Sequence, residues 1–304
     1  MAAAAPSPAD PWDAVAAEYA SRVEPFTSKF ASPLLDLAGD DLEGRHLLDV
    51  AAGSGAVSVL AAVDHGMSVT AVDVSAEMLN QLSSRPSWKF ERSAGTAKLE
   101  TAVANGEELP PEWTDTFDVA VSLFGVIFFS DPVRGVSEML RVVKPGSLVA
   151  FSAWALPEQT EAFQVIPTAA ASVLPEELVS SSKTSGAGKR IQGSPEALRV
   201  LLTEAGAGDV MIHGPIARTL TQPNAQTYWD RFALAAPGTR ALLARISAEQ
   251  AVLLRERVIS VLEERFGVGK PVELDASAYL ATGRKLTPFQ AAIVGGAPGE
   301  AAVR

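Results

Sequence analysis

Short apolar runs interrupted by single acids mark the first half of the chain. Leu47-Leu48-Asp49-Val50 reads as a buried strand, Gly53 and Gly55 follow, residues 56–62 present an apolar helical face, and a second apolar run ends in Asp73. The pattern predicts a strand, a tight turn, a helix and a second strand. Ser75 is a good N-cap for a helix over 76–82 that Pro86 ends. Further apolar runs predict strands over 99–104, 117–123 and 148–154. The fourth strand leads into the unusually apolar loop Phe124-Gly125-Val126-Ile127-Phe128-Phe129, then a helix over 133–143 closed by Lys144-Pro145-Gly146.

Ahead of this core, Val15, Ala16, Tyr19 and Val23 share a helical face, and Pro25 and Pro33 are expected to break the segment. Beyond it, Ser194-Pro195-Glu196 starts a helix that ends near Gly206, residues 209–213 form a sixth strand and 276–283 the last one. The stretch 224–265 is helical. Within it Ser247 and Gln250 form a capping box, and Val252, Leu253, Val258, Ile259 and Leu262 predict the packed face. Residues 1–11 and 288–304 read as weakly ordered tails and 181–189 as a mobile loop.

The glycines give this pattern its chemistry. Lacking a Cβ, Gly53 and Gly55 let the backbone turn sharply and bring its N–H groups against a ligand at the start of a helix. Asp73, at the end of the second strand, stands where a carboxylate can accept hydrogen bonds from both hydroxyls of a ribose, which points to an adenosine. A dinucleotide site asks for G-x-G-x-x-G, but Gly53-Ser54-Gly55-Ala56-Val57-Ser58 lacks the third glycine. Asp49, just before the loop, would repel a pyrophosphate and suits the amino group of an amino-acid-bearing cofactor.

The stretch resembles motif I of the class I S-adenosylmethionine-dependent methyltransferases, hydrophobic-hydrophobic-Asp-x-Gly-x-Gly-x-Gly. Asp49, Gly53 and Gly55 match it, and Ala51 replaces the first glycine. Asn105-Gly106-Glu107-Glu108-Leu109-Pro110 is similar to the Asp-Ala-x-x-Leu-Pro turn of those enzymes, with Asn and Gly in the first two places. Arg141-Val142-Val143-Lys144-Pro145-Gly146 is close to their Arg-Val-Leu-Lys-Pro-Gly-Gly signature, with Ser147 in the last place. The resemblance implies an α/β fold: a Rossmann-like, seven-stranded, mostly parallel sheet with an antiparallel last strand and helical lid insertions. It implies a single domain over 1–304, with a core over roughly 40–155, 194–222 and 272–287 and lids over roughly 12–38, 156–193 and 223–271.

By the same resemblance the cofactor is S-adenosyl-L-methionine. Asp49, Ala51, Gly53 and Gly55 would hold its methionine part, Asp73 its ribose, and Asn105, Gly106 and Glu107 its adenine edge. Val74, Met78, Leu123 and Phe124 would complete the site, with Phe124 beside the methyl. The apolar loop, with Trp12, Tyr19, Phe26, Phe128, Trp154 and Phe163, predicts a small, largely apolar or aromatic acceptor methylated on oxygen or nitrogen. No catalytic base is assigned. His46 and His65 fall away from the site and His213 lies in the sixth strand. The competing classes are an NAD-dependent oxidoreductase and a non-catalytic S-adenosylmethionine binder.

Composition narrows the partners. The formal net charge of −11 and the lack of any basic run argue against nucleic acid. The chain has no cysteine, which removes disulfides, cysteine zinc sites and thiolate nucleophiles, and no metal site is expected. No stretch approaches about 18 uninterrupted apolar residues and no signal pattern opens the chain, so a soluble cytoplasmic protein without a membrane partner is expected.

Overall fold

A computed structural model describes residues 12–86, 98–180, 193–233 and 237–290. The tail 1–11, the loop expected over 181–189 and all but the first three residues of the tail expected over 288–304 lie outside the described residues. The centre is a seven-stranded sheet of β1 (His46–Val50), β2 (Ser68–Asp73), β3 (Leu99–Val103), β4 (Phe117–Ser122), β5 (Val143–Trp154), β6 (Gly208–Gln222) and β7 (Val272–Arg284), in the order β3-β2-β1-β4-β5-β7-β6. The first five strands pair in parallel, and β7 runs antiparallel between β5 and β6.

Both faces of the sheet are covered, which is why the inner strands read as continuous apolar runs rather than as alternation. The period of two still sorts their side chains: Leu48, Val50, Ala120, Val149 and Phe151 join one core, while Leu47, Val119, Val121, Leu148 and Ala150 join the other. The second core is closed by α3 (Ala31–Asp36) and α4 (Ala56–His65), the first by α6 (Pro132–Val142) and by α7 (Glu161–Val173) with α12 (Ala248–Phe266) packed on it. Strand order reverses between β1 and β4, so their carboxyl ends frame the crevice where open α/β sheets bind ligands.

Several sequence expectations are corrected. Pro25 and Pro33 do not break the N-terminal segment: they occupy the first turns of α2 (Glu24–Thr27) and α3, where a missing N–H costs no intrahelical bond. Helix α1 (Ala16–Arg22), α2, the 3-10 turn Ser28–Phe30 and α3 therefore follow one another closely. Lys144-Pro145-Gly146 does not separate a helix from a strand. β5 begins at Val143, which pairs with Phe117, and Gly146 (φ +83°) donates to the Lys285 carbonyl at 2.9 Å, so the three residues form an irregularity inside the strand. β6 and β7 extend well beyond 209–213 and 276–283, staying paired as far as Gln222 opposite Val272. On α12 the capping box of Ser247 and Gln250 is formed, but the buried stripe is Leu254, Val258 and Leu262, with Val252 and Leu253 exposed. A spacing of four keeps those three on one face, which Val252 and Leu253 miss.

Candidate active site

A cavity of about 280 Å³ opens at the crevice. Its floor is the loop after β1. Ala51 (φ +54°) and Gly53 (φ +55°) both adopt left-handed backbone there, and the Ala52 N–H donates to the Val72 carbonyl at 2.9 Å. Gly53 N–H donates to Asp73 Oδ2 at 2.8 Å and Ser75 N–H to Asp73 Oδ1 at 2.9 Å, so one carboxylate fixes the loops after β1 and β2 together. Gly55, with φ +92°, caps α4 but does not line the cavity. A Cβ there would lie 2.2 Å from Leu82 Cδ1 of α5 (Ala76–Ser83), so this glycine serves helix packing.

Asp49 is fully buried and faces the cavity. Its Oδ2 accepts from Ser58 Oγ at 2.7 Å, whereas Oδ1 has no hydrogen-bond partner within the protein. Burial pushes its carboxyl up to about 7, against the Ser58 hydrogen bonds and helped by the nearby Asp73 and Glu24. A buried acceptor without a partner, on a residue that lines a cavity, is suited to a ligand donor, best of all a cationic one.

The N-terminal segment forms the near wall. Trp12 and Tyr19 line the cavity, and Trp12 meets Phe128 edge-to-face at 5.0 Å. Asp13 Oδ1 accepts from Ser75 Oγ at 2.5 Å and from Glu77 N–H at 3.2 Å, which fastens the segment to the start of α5. Burial pushes the Tyr19 hydroxyl up to about 12, against its 3.4 Å contact with Thr27 Oγ1, so it stays protonated at neutral pH. Glu24, Thr27 and Ser54 also line the cavity and were missed by the sequence reading. Buried Glu24 accepts from Ser54 Oγ and pairs with Arg85, tying α2, the glycine loop and the end of α5 into one cluster. No local pattern announces this, because its three members come from separate segments.

The far wall contains Val74, Met78, Asn105, Gly106, Glu107, Leu123, Phe124 and Phe128. Asn105 Oδ1 accepts from Glu107 N–H at 3.0 Å, so its carbonyl oxygen braces the turn. Phe124 holds a left-handed φ of +59°, fastened by a 2.8 Å hydrogen bond from its N–H to Ser152 Oγ. Its ring stacks on Trp154 with centroids 3.8 Å apart and planes 11° apart. Phe26, Trp154 and Phe163, read from the sequence as acceptor contacts, are not on the cavity wall. They pack behind Phe124, Trp154 lying 4.5 Å from Phe163 and 6.2 Å from Phe26. None of the three histidines lines the cavity: His46 lies at the start of β1, its pKa lowered by burial, and His213 contacts Thr282 Oγ1 at 3.3 Å. Among the described residues no His, Cys, Asp and Glu group could hold a metal ion, and no helix is long and apolar enough to cross a membrane.

A seven-stranded sheet with β7 inverted between β5 and β6, and a glycine loop beside the acid that ends β2 at its switch point, define a class I S-adenosylmethionine-dependent methyltransferase. The chain belongs to the ubiE/COQ5 methyltransferase family, whose model matches residues 33–210. Its cofactor is S-adenosylmethionine. Among curated relatives, a demethylmenaquinone methyltransferase of Clavibacter sepedonicus is 34% identical over 114 residues, covering 38% of this chain and 43% of that one. An uncharacterized protein of Mycobacterium tuberculosis is 33% identical over 137 residues, covering 45% and 47%. The chain thus spans less than half the length of these relatives. In three dimensions a putative methyltransferase from Bacillus halodurans matches with a TM-score of 0.52 at 19% identity, over 85% of this chain and 100% of that one. That likeness is one of fold.

Proposed function

We propose that the protein transfers the methyl group of S-adenosylmethionine to a small, largely apolar or aromatic molecule, at an oxygen or nitrogen atom. The observation that carries this reading is the mixed lining of the cavity: the buried acids Glu24, Asp49 and Asp73 together with the aromatic side chains Trp12, Phe124 and Phe128. Asp49, Ala51 and Gly53 hold the methionine part, with the unpartnered Asp49 Oδ1 receiving the ammonium. Asp73 takes the ribose, and Asn105, Gly106 and Glu107 flank the adenine, with Val74, Met78 and Leu123 supplying apolar contact. Gly55 contributes by shaping the loop rather than by touching the ligand.

The bound cofactor supplies an electrophilic methyl on a positively charged sulfur. What the chain must add is alignment and exclusion of water, and the aromatic wall suits both tasks. Tyr19, kept protonated, can donate a hydrogen bond toward an acceptor oxygen but cannot serve as a base. A cytoplasmic location and the absence of a membrane partner belong to this reading, as does the absence of a nucleic-acid partner, which the net charge of −11 supports.

A second reading, methylation at the ring carbon of a quinol, is favoured by the names of relatives. One is a ubiquinone/menaquinone biosynthesis C-methyltransferase of Geotalea daltonii, 33% identical over 113 residues, 36% of this chain and 46% of that one. Incubation with methyl-labelled cofactor and a panel of phenols, amines, naphthohydroquinones and sugar phosphates tests both. Label recovered in a methyl ether or methylamine supports the first, and label on a ring carbon the second. Label transfer only to strongly anionic acceptors such as sugar phosphates overturns both.

A further inference from the structure

Phe129 follows the 3-10 turn Val126–Phe128, and its ring is inserted between two glycines from different parts of the fold. A Cβ on Gly106, in the turn after β3, would lie 2.6 Å from Phe129 Cζ. A Cβ on Gly135, in α6, would lie 2.2 Å from its Cδ2. Contacts under 3.0 Å are essentially never seen for real Cβ atoms, so with the ring in place both positions require glycine. Neither glycine has a positive φ; close approach, not backbone freedom, is what selects them. Gly135 stands inside a helix, where glycine is otherwise a poor choice. The ring and Val50 Cγ1, which a Gly106 Cβ would meet at 2.7 Å, together account for Gly106 where the similar methyltransferases carry Ala.

The same two segments are joined again beside the ring. Glu107 Oε1 accepts from Asp131 N–H at 2.5 Å, Leu109 N–H donates to Glu138 Oε2 at 2.8 Å, and Arg141 donates to the Leu109 carbonyl at 2.9 Å. Phe129 and Gly106 both line the cavity, whereas Gly135 does not.

We propose that Phe129 is a positioning residue that couples the two halves of the site. Its ring sets the height of the 105–107 turn beneath the adenine end, and the same residue anchors the 124–128 wall that faces the acceptor, so that occupying the first half fixes the second. This rests on the placement of the cofactor proposed above. A ring that merely filled space would stabilise the fold without linking the two loops.

The test uses S-adenosylhomocysteine and the full chain, with calorimetry for affinity and amide hydrogen exchange over 105–109 and 124–131. Gly135→Ala, which adds a methyl outside the cavity, should weaken binding about tenfold, equivalent to about 1.4 kcal/mol. Adding Phe129→Ala, which removes the ring including the Cδ2 that a Gly135 methyl would strike, should restore affinity to within about threefold of the unsubstituted protein. In the unsubstituted protein the ligand should slow exchange in both segments; in Phe129→Ala it should slow exchange in 105–109 alone. Wild-type affinity in Gly135→Ala, no restoration by Phe129→Ala, or undiminished protection of 124–131 in Phe129→Ala overturns the coupling. Should Gly135→Ala fail to fold, the exchange comparison in Phe129→Ala decides. Absence of binding to the unsubstituted protein instead removes the cofactor placement, and the coupling with it.

Discussion

Asp73 Oδ2 accepts the Gly53 N–H at 2.8 Å, bridging the ends of the first two strands across the floor of the cavity. Asp73 thus shapes the loop, and on the proposed reading it also takes the ribose. Asp73→Ala should weaken S-adenosylhomocysteine binding by about 1.5–3 kcal/mol, the range for hydrogen bonds to a charged group. Calorimetry on a folded variant with unchanged affinity would remove the assignment.

Gly53 and Gly55 should respond differently to the same change. A side chain at Gly53 meets only Tyr19 Cε1, at 4.0 Å, and points into ligand space, whereas one at Gly55 strikes Leu82. Gly53→Val should abolish cofactor binding in a protein that still unfolds cooperatively. Gly55→Val should lower the thermal midpoint strongly, since it combines a left-handed backbone with overpacking of α4 on α5. Thermal unfolding with and without ligand separates the two, and equal midpoints would refute the distinction.

Asp49 makes ligand affinity depend on pH. Its carboxyl sits at about 7 in the fold against an ordinary 3.8. Because folding raises the value, its contribution to the stability of the ligand-free protein is full below about pH 4 and is lost as pH rises through about 7. A ligand ammonium beside Oδ1 favours the carboxylate, so affinity should climb with pH, by up to about tenfold per unit, and level off above 7. Asp49→Asn should flatten the climb. Identical pH profiles for variant and parent would exclude Asp49 as the group responsible.

Glu24 holds the near wall through Ser54 and Arg85. Glu24→Ala strands a partly buried guanidinium and should cost about 3 kcal/mol in urea unfolding. It should also weaken cofactor binding, because Ser54 loses its anchor. A loss below about 0.5 kcal/mol, the range of ordinary surface changes, would show the cluster to be incidental.

Phe128 and Trp154 separate contact from support. Phe128 is 55% exposed and lines the cavity, while Trp154 backs Phe124. Once an acceptor is found, Phe128→Ala should raise its KM several-fold with little loss of stability. Trp154→Ala should destabilise the fold by about 3 kcal/mol, the lower end for emptying an aromatic site. The reverse pattern would exchange their roles.

The strands that carry the cofactor loop were legible because their apolar runs end in chemistry: Asp49 and Asp73 stand where the sheet stops. Caps were legible for a similar reason, since Ser194 and Ser247 satisfy helix N–H groups with their own side chains. The long β6 was not. Gly214-Pro215 inside it reads as a turn, and its mixed edge-strand burial gives no apolar run. The aromatic layer was legible as residue type but not as depth: sequence gathers Phe26, Trp154 and Phe163 near the site without saying that Phe124 stands in front of them. Links between distant segments, such as Glu24 with Arg85 or Phe129 with Gly135, leave no periodic trace.

Glu24, Asp49, Asp73 and Glu107 line the cavity, and none of the described lining residues is basic. On the proposed reading, such a lining distinguishes the two ends of a catalytic cycle. A ligand that arrives with a sulfonium charge is drawn toward the acids, while the thioether left after transfer has lost that attraction. The wall that gathers the reactant therefore loosens its hold at the sulfur alone, while the ammonium that the spent cofactor keeps stays beside Asp49.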